Sequence, residues 1–352
     1  MARIQSFLLT CAIVLACMAY YGTQPRSKSS MPVEVKKVYA TWCIQFGKLR
    51  ISPAEHDFRM IQFKAAFEFV QRHNANPERS HTVSLNQFAD LTDEEFTSTH
   101  ISKSEGKEPL SQGYPDEHPS YAKYSNLGKE KETIDMRNML QQQSMQSSAT
   151  CNDNYAWISA VNMNANYYMK QVTTIKYSFS PQFYIDCSAY YGNIGCDGGK
   201  PVNSYEYSIM YGAASLSDYP YFGEEKGCRA TMGMFSNVRA VISPKLSNSY
   251  LASYISKQTG VASVGMDMAS KQARFYSGGI FEGPCTTEHN HNLLLIGMGV
   301  DESTSKPYWT VMNTWGSFWG DQGIMKVIRH EIDDDARYSS CGLNMWATYP
   351  EF

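Results

Sequence analysis

The chain of 352 residues lacks the features that mark several large classes of protein. Its formal net charge is −3, so it has no basic excess of the kind a nucleic-acid partner requires, and no such partner is expected. No two of its cysteines have C-x-x-C spacing, which makes a zinc site the weaker interpretation, and neither a metal nor a cofactor is expected. It has no Asn-x-Ser/Thr sequon, so glycosylation gives no clue to its trafficking.

Long apolar runs are also missing, apart from one at the N-terminus. Arg3 precedes an apolar stretch over residues 7–19 that has small residues near its end. This pattern predicts that residues 1–21 are a cleaved secretory signal peptide, and hence an endomembrane, lysosomal or secreted protein. The alternative is an uncleaved membrane anchor formed by residues 7–21, because two tyrosines lengthen the run and basic residues follow it.

Most of the cysteines lie in the C-terminal two-thirds of the chain. An even set of cysteines behind a signal peptide is typical of a disulfide framework formed in an oxidising compartment. The sequence alone does not choose among the possible pairings. The members of this set are Cys151, Cys187, Cys196, Cys228, Cys285 and Cys341.

Residues 31–98 are predicted to form a helical N-terminal module. Apolar residues recur at helical spacing through its first part, which indicates two helices. Ser52 followed by proline is a start signal for the second helix, and the asparagines and proline of residues 73–77 are a stop signal. A short extended stretch is predicted at residues 81–85, and Thr92 opens another short helix.

Two further segments follow this module. Residues 99–131 are rich in Ser, Lys, Glu, Gly and Pro, which predicts an exposed linker. Residues 132–352 form a C-terminal domain, in which residues 154–171 and 201–212 have helical patterns. Helices followed by strands predict an α+β fold with two segregated halves. The strand-like segments are residues 238–242, 293–296, 308–312 and 324–328.

Two spaced motifs in the N-terminal module resemble the inhibitory propeptide of the papain-like cysteine peptidases, in the form typical of cathepsin L relatives. The propeptide helix of that family carries Glu, Arg, Phe, Asn, Ile and Asn, and here Ala66 departs while Val70 stands for Ile. The second motif, Gly-x-Asn-x-Phe-x-Asp, corresponds to residues 84–90 and departs only at Ser84. The other matching residues of the first motif are Glu55, Arg59, Phe63 and Asn74.

The C-terminal domain resembles the peptidase domain of the same family. Residues 195–199 match its Gly-Cys-x-Gly-Gly loop, residues 278–285 match its Gly-Gly-Ile-Phe segment, and residues 313–320 match its asparagine-tryptophan motif. The resemblance implies a two-lobed papain-like fold, with a helical lobe and a β-barrel-like lobe, and a prodomain that lies in the peptide cleft. It also implies the disulfide pairs Cys151–Cys196, Cys187–Cys228 and Cys285–Cys341.

The position of the family's nucleophile holds an asparagine in this chain. The family motif Gln-Gly-x-Cys-Gly-x-Cys-Trp-Ala-Phe corresponds to residues 148–157, which places Asn154 at the nucleophile and Ser148 at the glutamine that binds the oxyanion. A carboxamide is not acidic near neutral pH and is a poor nucleophile. The retained His291, which Asn313 would orient, is therefore predicted to have no thiol to activate.

The remaining residues that the resemblance singles out would bind rather than react. Gly198 and Gly199 would line the peptide cleft, and Trp315 would lie beside the histidine. Without a thiol, the histidine motif is expected to be a buried structural group whose polar atoms need partners. The glycines can equally be turn residues.

Three residues could restore catalysis in principle. Cys151 could serve as nucleophile only if Cys196 lost its disulfide partner. Ser159 lies more than a turn into the predicted helix and should point elsewhere. Gln146 could replace the missing glutamine after a shift of the loop, but this change would supply no nucleophile.

The sequence therefore favours a catalytically inactive homologue that binds a peptide or protein partner. One alternative is a structural subunit of a larger assembly, held at a membrane by residues 7–21. The other is an active cysteine-type endopeptidase with an atypical site.

Overall fold

The structure, a computed structural model, describes residues 31–48, 52–102, 133–140, 145, 150–170, 178–229, 238–243, 248–257, 260–330 and 339–352. The leader, almost all of the linker, Gln146 and Ser148 lie outside these ranges, as do the predictions that concern them. The chain divides into two compact units, Met1–Met60 and Ile61–Phe352.

The first unit contains helix α1 (Val33–Gln45) and the start of helix α2 (Pro53–Ala75). Tyr39 of α1 stacks on Trp42, with 5.9 Å between ring centroids, and meets His56 edge-on at 5.4 Å. Proline at the first position of α2 favours the start of the helix, because the N–H that proline lacks would have no hydrogen-bond partner within the helix at that position. The two predicted helices and the predicted end of α2 are confirmed.

The second unit contains the rest of the N-terminal module. Strand β1 (His81–Val83) occupies the predicted extended stretch, and helix α3 (Asp93–His100) begins after Thr92. The Thr92 side chain accepts from the Glu95 backbone N–H, and the Glu95 carboxylate accepts from the Thr92 N–H, which completes a capping box. Helix α3 extends past residue 99, where the linker was expected to begin, and Ile101 and Ser102 after it are buried.

A seven-stranded sheet forms the centre of the second lobe, with the strand order β1-β5-β8-β7-β6-β2 and β4 paired to β6. The β5–β8 pair is parallel, and the other pairs of this sheet are antiparallel. Strand β1 therefore extends the sheet of the C-terminal domain. The other strands are β2 (Ile134–Asp135), β4 (Ala262–Met266), β5 (Tyr276–Phe281), β6 (His291–Val300), β7 (Pro307–Met312) and β8 (Ile324–Ile328). A separate antiparallel pair consists of β3 (Ala240–Ile242) and β9 (Tyr349–Glu351).

The helices of the C-terminal domain are divided between the helical lobe and the sheet lobe. In chain order, the helices are α4 (Arg137–Leu140), α5 (Asn154–Met169), α6 (Pro181–Cys187), α7 (Pro201–Tyr211), α8 (Asn248–Ser256) and α9 (Lys271–Arg274). Short 3₁₀ segments cover Ser188–Tyr191, Gly195–Asp197 and Ser339–Trp346.

Helix α5 lies between two hydrophobic cores, which correspond to the two lobes. Tyr155, Ala160 and Met163 belong to the core of the helical lobe. Ile158 and Val161, on another face of the same helix, belong to the core of the sheet. A helix that is apolar on most sides must be buried on most sides. The start of α5 is therefore fixed where the two lobes meet.

The predicted α+β, two-lobed architecture is confirmed, and so are the three predicted disulfide pairs. The expected order of helices first and strands later holds only in part, because α8 and α9 lie among the strands. Within the described ranges, no helix combines the length and the apolar character needed to span a bilayer.

Candidate functional site

Asn154 is the first residue of helix α5, directly after the segment that the Cys151–Cys196 disulfide ties to the Gly195–Asp197 turn. The side chain is 3% exposed, and the next residue, Tyr155, is fully buried in the helical core. The burial of Tyr155 fixes the rotation of the helix, so Asn154 is directed into the space between the lobes.

The carboxamide of Asn154 pairs with Asn292 rather than with the histidine. Its Nδ2 donates to the Asn292 carbonyl at 2.9 Å, and its Oδ1 accepts from Asn292 Nδ2 at 3.0 Å. Asn292 Nδ2 also lies 3.2 Å from the Gly199 carbonyl. Among the described residues, no hydrogen bond joins Asn154 to His291. The nitrogen and the oxygen of the amide at the nucleophile position therefore both have hydrogen-bond partners on Asn292.

Asn292 extends this contact to a second buried histidine. His289 Nε2 lies 2.7 Å from Asn292 Oδ1, and the imidazole packs 4.8 Å from the ring of Trp346. Burial lowers the pKa of His289 to about 4, and the nearby positive charge of Lys200 acts in the same direction. His289 is therefore neutral near pH 7, and the network from Asn154 to His289 carries no charge.

His291 has partners on both ring nitrogens. Nε2 lies 2.8 Å from Asn313 Oδ1, and Nδ1 lies 3.1 Å from the backbone carbonyl of His100. Burial lowers the pKa of His291 to about 4, although both hydrogen bonds oppose this effect. The ring is therefore neutral near pH 7 and can donate its single N–H to only one of the two oxygens at a time.

Trp315 covers this histidine, as the sequence motif suggested. The two rings lie 4.7 Å apart, and Trp315 meets Phe88 and Phe96 edge-on at 5.4 Å. Gln87 Nε2 donates to the Trp315 carbonyl at 2.6 Å. The side chains that cover the histidine motif thus come from the N-terminal module.

Three consecutive residues of the N-terminal module cross the site. His100 offers its carbonyl to His291, the Ile101 carbonyl accepts from Asn152 Nδ2 at 2.9 Å, and the Ser102 N–H donates to the Asn290 carbonyl at 2.7 Å. All three contacts use the backbone of the crossing segment. Residues 100–102 therefore occupy the cleft, and we call them the crossing segment.

Gly198 and Gly199 both lie at the site, as predicted. A Cβ on Gly198 would lie 2.5 Å from Ser102 Oγ, and one on Gly199 would lie 2.3 Å from Asn193 Oδ1. Gly198 also has a φ of +118°, which a residue with a side chain rarely adopts. The absence of a side chain at Gly198 is what lets the crossing segment approach so closely.

The proposed substitutes for the nucleophile do not supply one in the described residues. Cys151 is bonded to Cys196, and Ser159 donates to the Tyr155 carbonyl at 2.7 Å within the helix. The site therefore presents a neutral histidine, a paired carboxamide and backbone groups, which suit hydrogen bonding rather than nucleophilic attack.

Sequence reasoning missed three residues of this site: Asn152, Asn292 and His289. Asn152 occupies a glycine position of the family motif, and this departure from the motif could have identified it from the sequence. Asn292 directly follows His291 in β6, and adjacent strand residues point to opposite faces. No sequence pattern indicates that the opposite face would meet Asn154.

The N-terminal module is held to the sheet lobe by a buried arginine. Arg274 is 2% exposed and donates to the carbonyls of Phe88 and Leu91, with 2.8 Å to the latter. Its guanidinium also lies 3.4 Å from the Asp93 carboxylate. In return, Asn86 Nδ2 donates to the Arg274 carbonyl at 2.8 Å. The asparagine of the second propeptide motif therefore docks the module.

Comparisons with known proteins match these two parts of the chain separately. Residues 39–96 match the cathepsin propeptide inhibitor domain (I29), and residues 131–351 match the papain family cysteine protease domain. A cathepsin L-like proteinase of Phaedon cochleariae is 31% identical over 304 residues, which cover 84% of this chain and 87% of that protein.

Solved proenzyme structures have the same fold. Digestive procathepsin L 3 of Tenebrio molitor superimposes with a TM-score of 0.73 at 25% identity, covering 92% of this chain and 100% of that one. A recombinant stem bromelain precursor gives a TM-score of 0.76 at 24% identity, covering 91% and 99%, and shows the fold alone. The occupied cleft, the docked propeptide module and these matches show that the chain belongs to the papain family of cysteine proteases, in a cathepsin L-like proform.

Proposed function

We propose that this chain is a catalytically inactive papain-family protein whose cleft binds an extended peptide or protein segment. The observation that carries the proposal is the carboxamide of Asn154, buried at the start of α5 and paired with Asn292. The family reaction needs a thiolate there, stabilised by the helix N-terminus and a protonated histidine. A carboxamide cannot be deprotonated near neutral pH, and it is held by another residue.

The state of His291 supports the same conclusion. Its pKa is lowered to about 4 by burial, and its Nδ1 faces the His100 carbonyl of the prodomain. The ring is therefore neutral, so it supplies no imidazolium to stabilise a thiolate, and its Nδ1 faces a carbonyl rather than an acidic group. The loss of the oxyanion glutamine at position 148 would cost a further factor of about 10²–10³ in rate.

The test is turnover after a specific protease site introduced in residues 104–131 has been cut, the prodomain has been separated in denaturant, and the C-terminal domain has been refolded. We expect no hydrolysis of fluorogenic peptides above the buffer rate. The matched control is the Asn154→Cys/Ser148→Gln variant, which we expect to react with a thiol reagent once the prodomain is gone. Turnover by the unaltered chain that the His291→Ala change abolishes would establish an active peptidase and overturn the proposal.

A second candidate function is that of a structural subunit which keeps its prodomain. It is favoured by the division of the chain, since residues 61–102 share one compact unit with the C-terminal domain. Intact mass and N-terminal sequencing of the protein from its native source separate the candidates. A chain that starts near residue 130 supports the open cleft, and one that retains the prodomain with a stable partner supports the subunit.

We also propose an endomembrane, lysosomal or secreted location. The three disulfides of the C-terminal domain support it, because such bonds persist in oxidising compartments. Membrane anchoring through residues 7–21 remains the alternative proposal. Fractionation with and without carbonate extraction distinguishes a soluble from an anchored chain.

A further inference from the structure

The polar contacts described for the crossing segment use its backbone, and the Ile101 side chain is buried in the core of the sheet lobe. The successive polar contacts are the His100 carbonyl to His291, the Ile101 carbonyl to Asn152, and the Ser102 N–H to Asn290. Recognition through main-chain groups accepts any segment that can extend, and neighbouring pockets then select its side chains. The prodomain therefore shows what a ligand of this cleft must offer.

Asn152 provides a contact from a side chain that has no counterpart in the family motif. It stands where the family motif has glycine, so the family pattern supplies no donor at this point. Its own N–H donates to the Cys196 carbonyl at 2.9 Å, and the preceding residue, Cys151, is bonded to Cys196. The side chain is 9% exposed. Asn152 is thus fixed in place by a covalently closed turn before any ligand arrives.

Gly198, which lies beside Asn152, restricts the residue that follows the bound carbonyl. Ser102 is 6% exposed, and its Oγ lies where a Cβ on Gly198 would be only 2.5 Å away. The same imagined Cβ would lie 3.8 Å from Asn152 Nδ2. Because Ser102 is buried against Gly198, we expect a much larger side chain at this position to meet the Gly198 backbone.

From these contacts we infer that Asn152 is a ligand-binding residue of the cleft, and that the cleft selects extended segments with a small residue directly after the carbonyl that Asn152 binds. The inference rests on the proposed peptide-binding function and names its ligand class. The ligand competes with the crossing segment for the same groups. Because the prodomain is tethered, its effective concentration is high, and a free ligand binds well only when the crossing segment is weakened.

The first experiment uses the full chain and needs no added ligand. Hydrogen–deuterium exchange of residues 97–102 should become about tenfold faster in Asn152→Gly, as expected for the loss of one hydrogen bond. Asn152→Asp, which keeps the shape but replaces the donor by an oxygen, should have at least the same effect. An unchanged exchange rate in both variants would overturn the inference.

The second experiment adds a ligand to a chain whose crossing segment is weakened by Ser102→Trp. The probe is a fluorescein-labelled peptide of residues 98–105. We expect it to bind this variant, to bind about tenfold more weakly when Asn152→Gly is added, and to lose binding when its own serine at position 102 is replaced by tryptophan.

The outcomes separate the inference from the function on which it rests. If exchange shows that Ser102→Trp has released the segment and the peptide still does not bind, the proposed function fails. If the peptide binds and neither Asn152→Gly nor the tryptophan peptide changes the affinity, the function stands and the inference is wrong.

Discussion

Asn154 and Asn292 are joined by two buried hydrogen bonds: Asn154 Oδ1 accepts from the side-chain amide of Asn292, and Asn154 Nδ2 donates to the backbone carbonyl of Asn292. We predict that Asn154→Ala and Asn292→Ala each lower the free energy of unfolding by about 1–3 kcal/mol, because each leaves a buried polar group without its partner. The Asn154→Ala/Asn292→Ala double variant should lose less than the sum by about 1 kcal/mol. Denaturant unfolding of the four proteins measures this coupling. Additive losses would show that the two amides do not depend on each other.

The buried histidines make stability depend on pH. His289 and His291 have pKa values of about 4 in the folded chain, below their ordinary value of 6.5. Between these values the unfolded chain takes up protons that the folded chain does not, so the stabilisation is complete above about pH 6.5 and is lost as the pH falls towards 4. We predict a slope of up to about 1.4 kcal/mol per pH unit for each histidine.

Urea unfolding at several pH values from 7 to 4.5 checks this slope. Replacing His289 by glutamine removes one titrating group while keeping a polar side chain near Asn292. The variant should therefore have a shallower pH dependence than the unaltered chain. The same slope in both proteins would show that His289 does not titrate on unfolding.

Among helices and strands, the β1–β5 pair links the prodomain to the sheet. Gly279 faces His81 in this pair and has a φ of +84°, and a Cβ there would lie 2.8 Å from the Ser80 carbonyl and 2.9 Å from His81 Cα. We predict that Gly279→Ala loosens β1, since both the conformation and the space disfavour a side chain. Hydrogen exchange of residues 80–84 should rise by an order of magnitude or more.

The neighbouring glycine is the matched control. A Cβ on Gly278 would meet only Thr82 Oγ1, at 3.4 Å, which is ordinary van der Waals contact. Gly278→Ala should leave the exchange of β1 nearly unchanged. Equal effects of the two substitutions would mean that loss of glycine flexibility, rather than the close approach at Gly279, governs the docking.

The helices that the sequence predicted combine a local start signal with an amphipathic pattern, whereas the elements that it missed lack an alternation of polar and apolar residues. The start of α2 follows a serine and a proline, and α3 follows a capping box at Thr92, so both are specified within a few residues. Strand β4 was not predicted because all five of its residues are buried, including a serine and a glycine, which removes the alternation that marks a strand. Helix α6 has a serine and proline at its start, as α2 does, but it was missed because its seven residues are all buried and form no polar face.

The parts of the site that lie in family motifs could be predicted from the sequence, and the contacts between motifs could not. His291 and Asn313 were expected to meet because the family resemblance pairs them, and they do. The partner of Asn154 could not be predicted, since its contact with Asn292 depends on how α5 packs against β6, a packing set by distant core residues. Asn152 was visible as a departure from the motif, but its meaning required the position of Ile101.

The boundary between the two compact units of the chain does not lie in the linker. Residues 61–102 belong with the C-terminal domain, and the boundary lies within α2 rather than in the linker. We predict that cutting an introduced protease site in residues 104–131 leaves the prodomain bound. Intact mass and gel filtration of the cut protein at pH 7 should show both fragments eluting together.

Arg274 offers the control for that experiment. Arg274→Met removes the donors to the Phe88 and Leu91 carbonyls but keeps an unbranched side chain. The cut variant should release its prodomain at a lower denaturant concentration than the cut parent. Complete separation of the fragments in the parent without denaturant would contradict the prediction.

The amide pair between Asn154 and Asn292 also bears on how this chain can evolve. If a substitution returned cysteine to position 154, the side-chain amide of Asn292 would lose its Asn154 partner, and Ser148 would still stand where the oxyanion glutamine belongs. Such a revertant would lose stability before it gained catalysis, and selection for proteolysis would have nothing to act on. Under the proposed function, the contact between Asn154 and Asn292 is therefore an obstacle to regaining proteolysis.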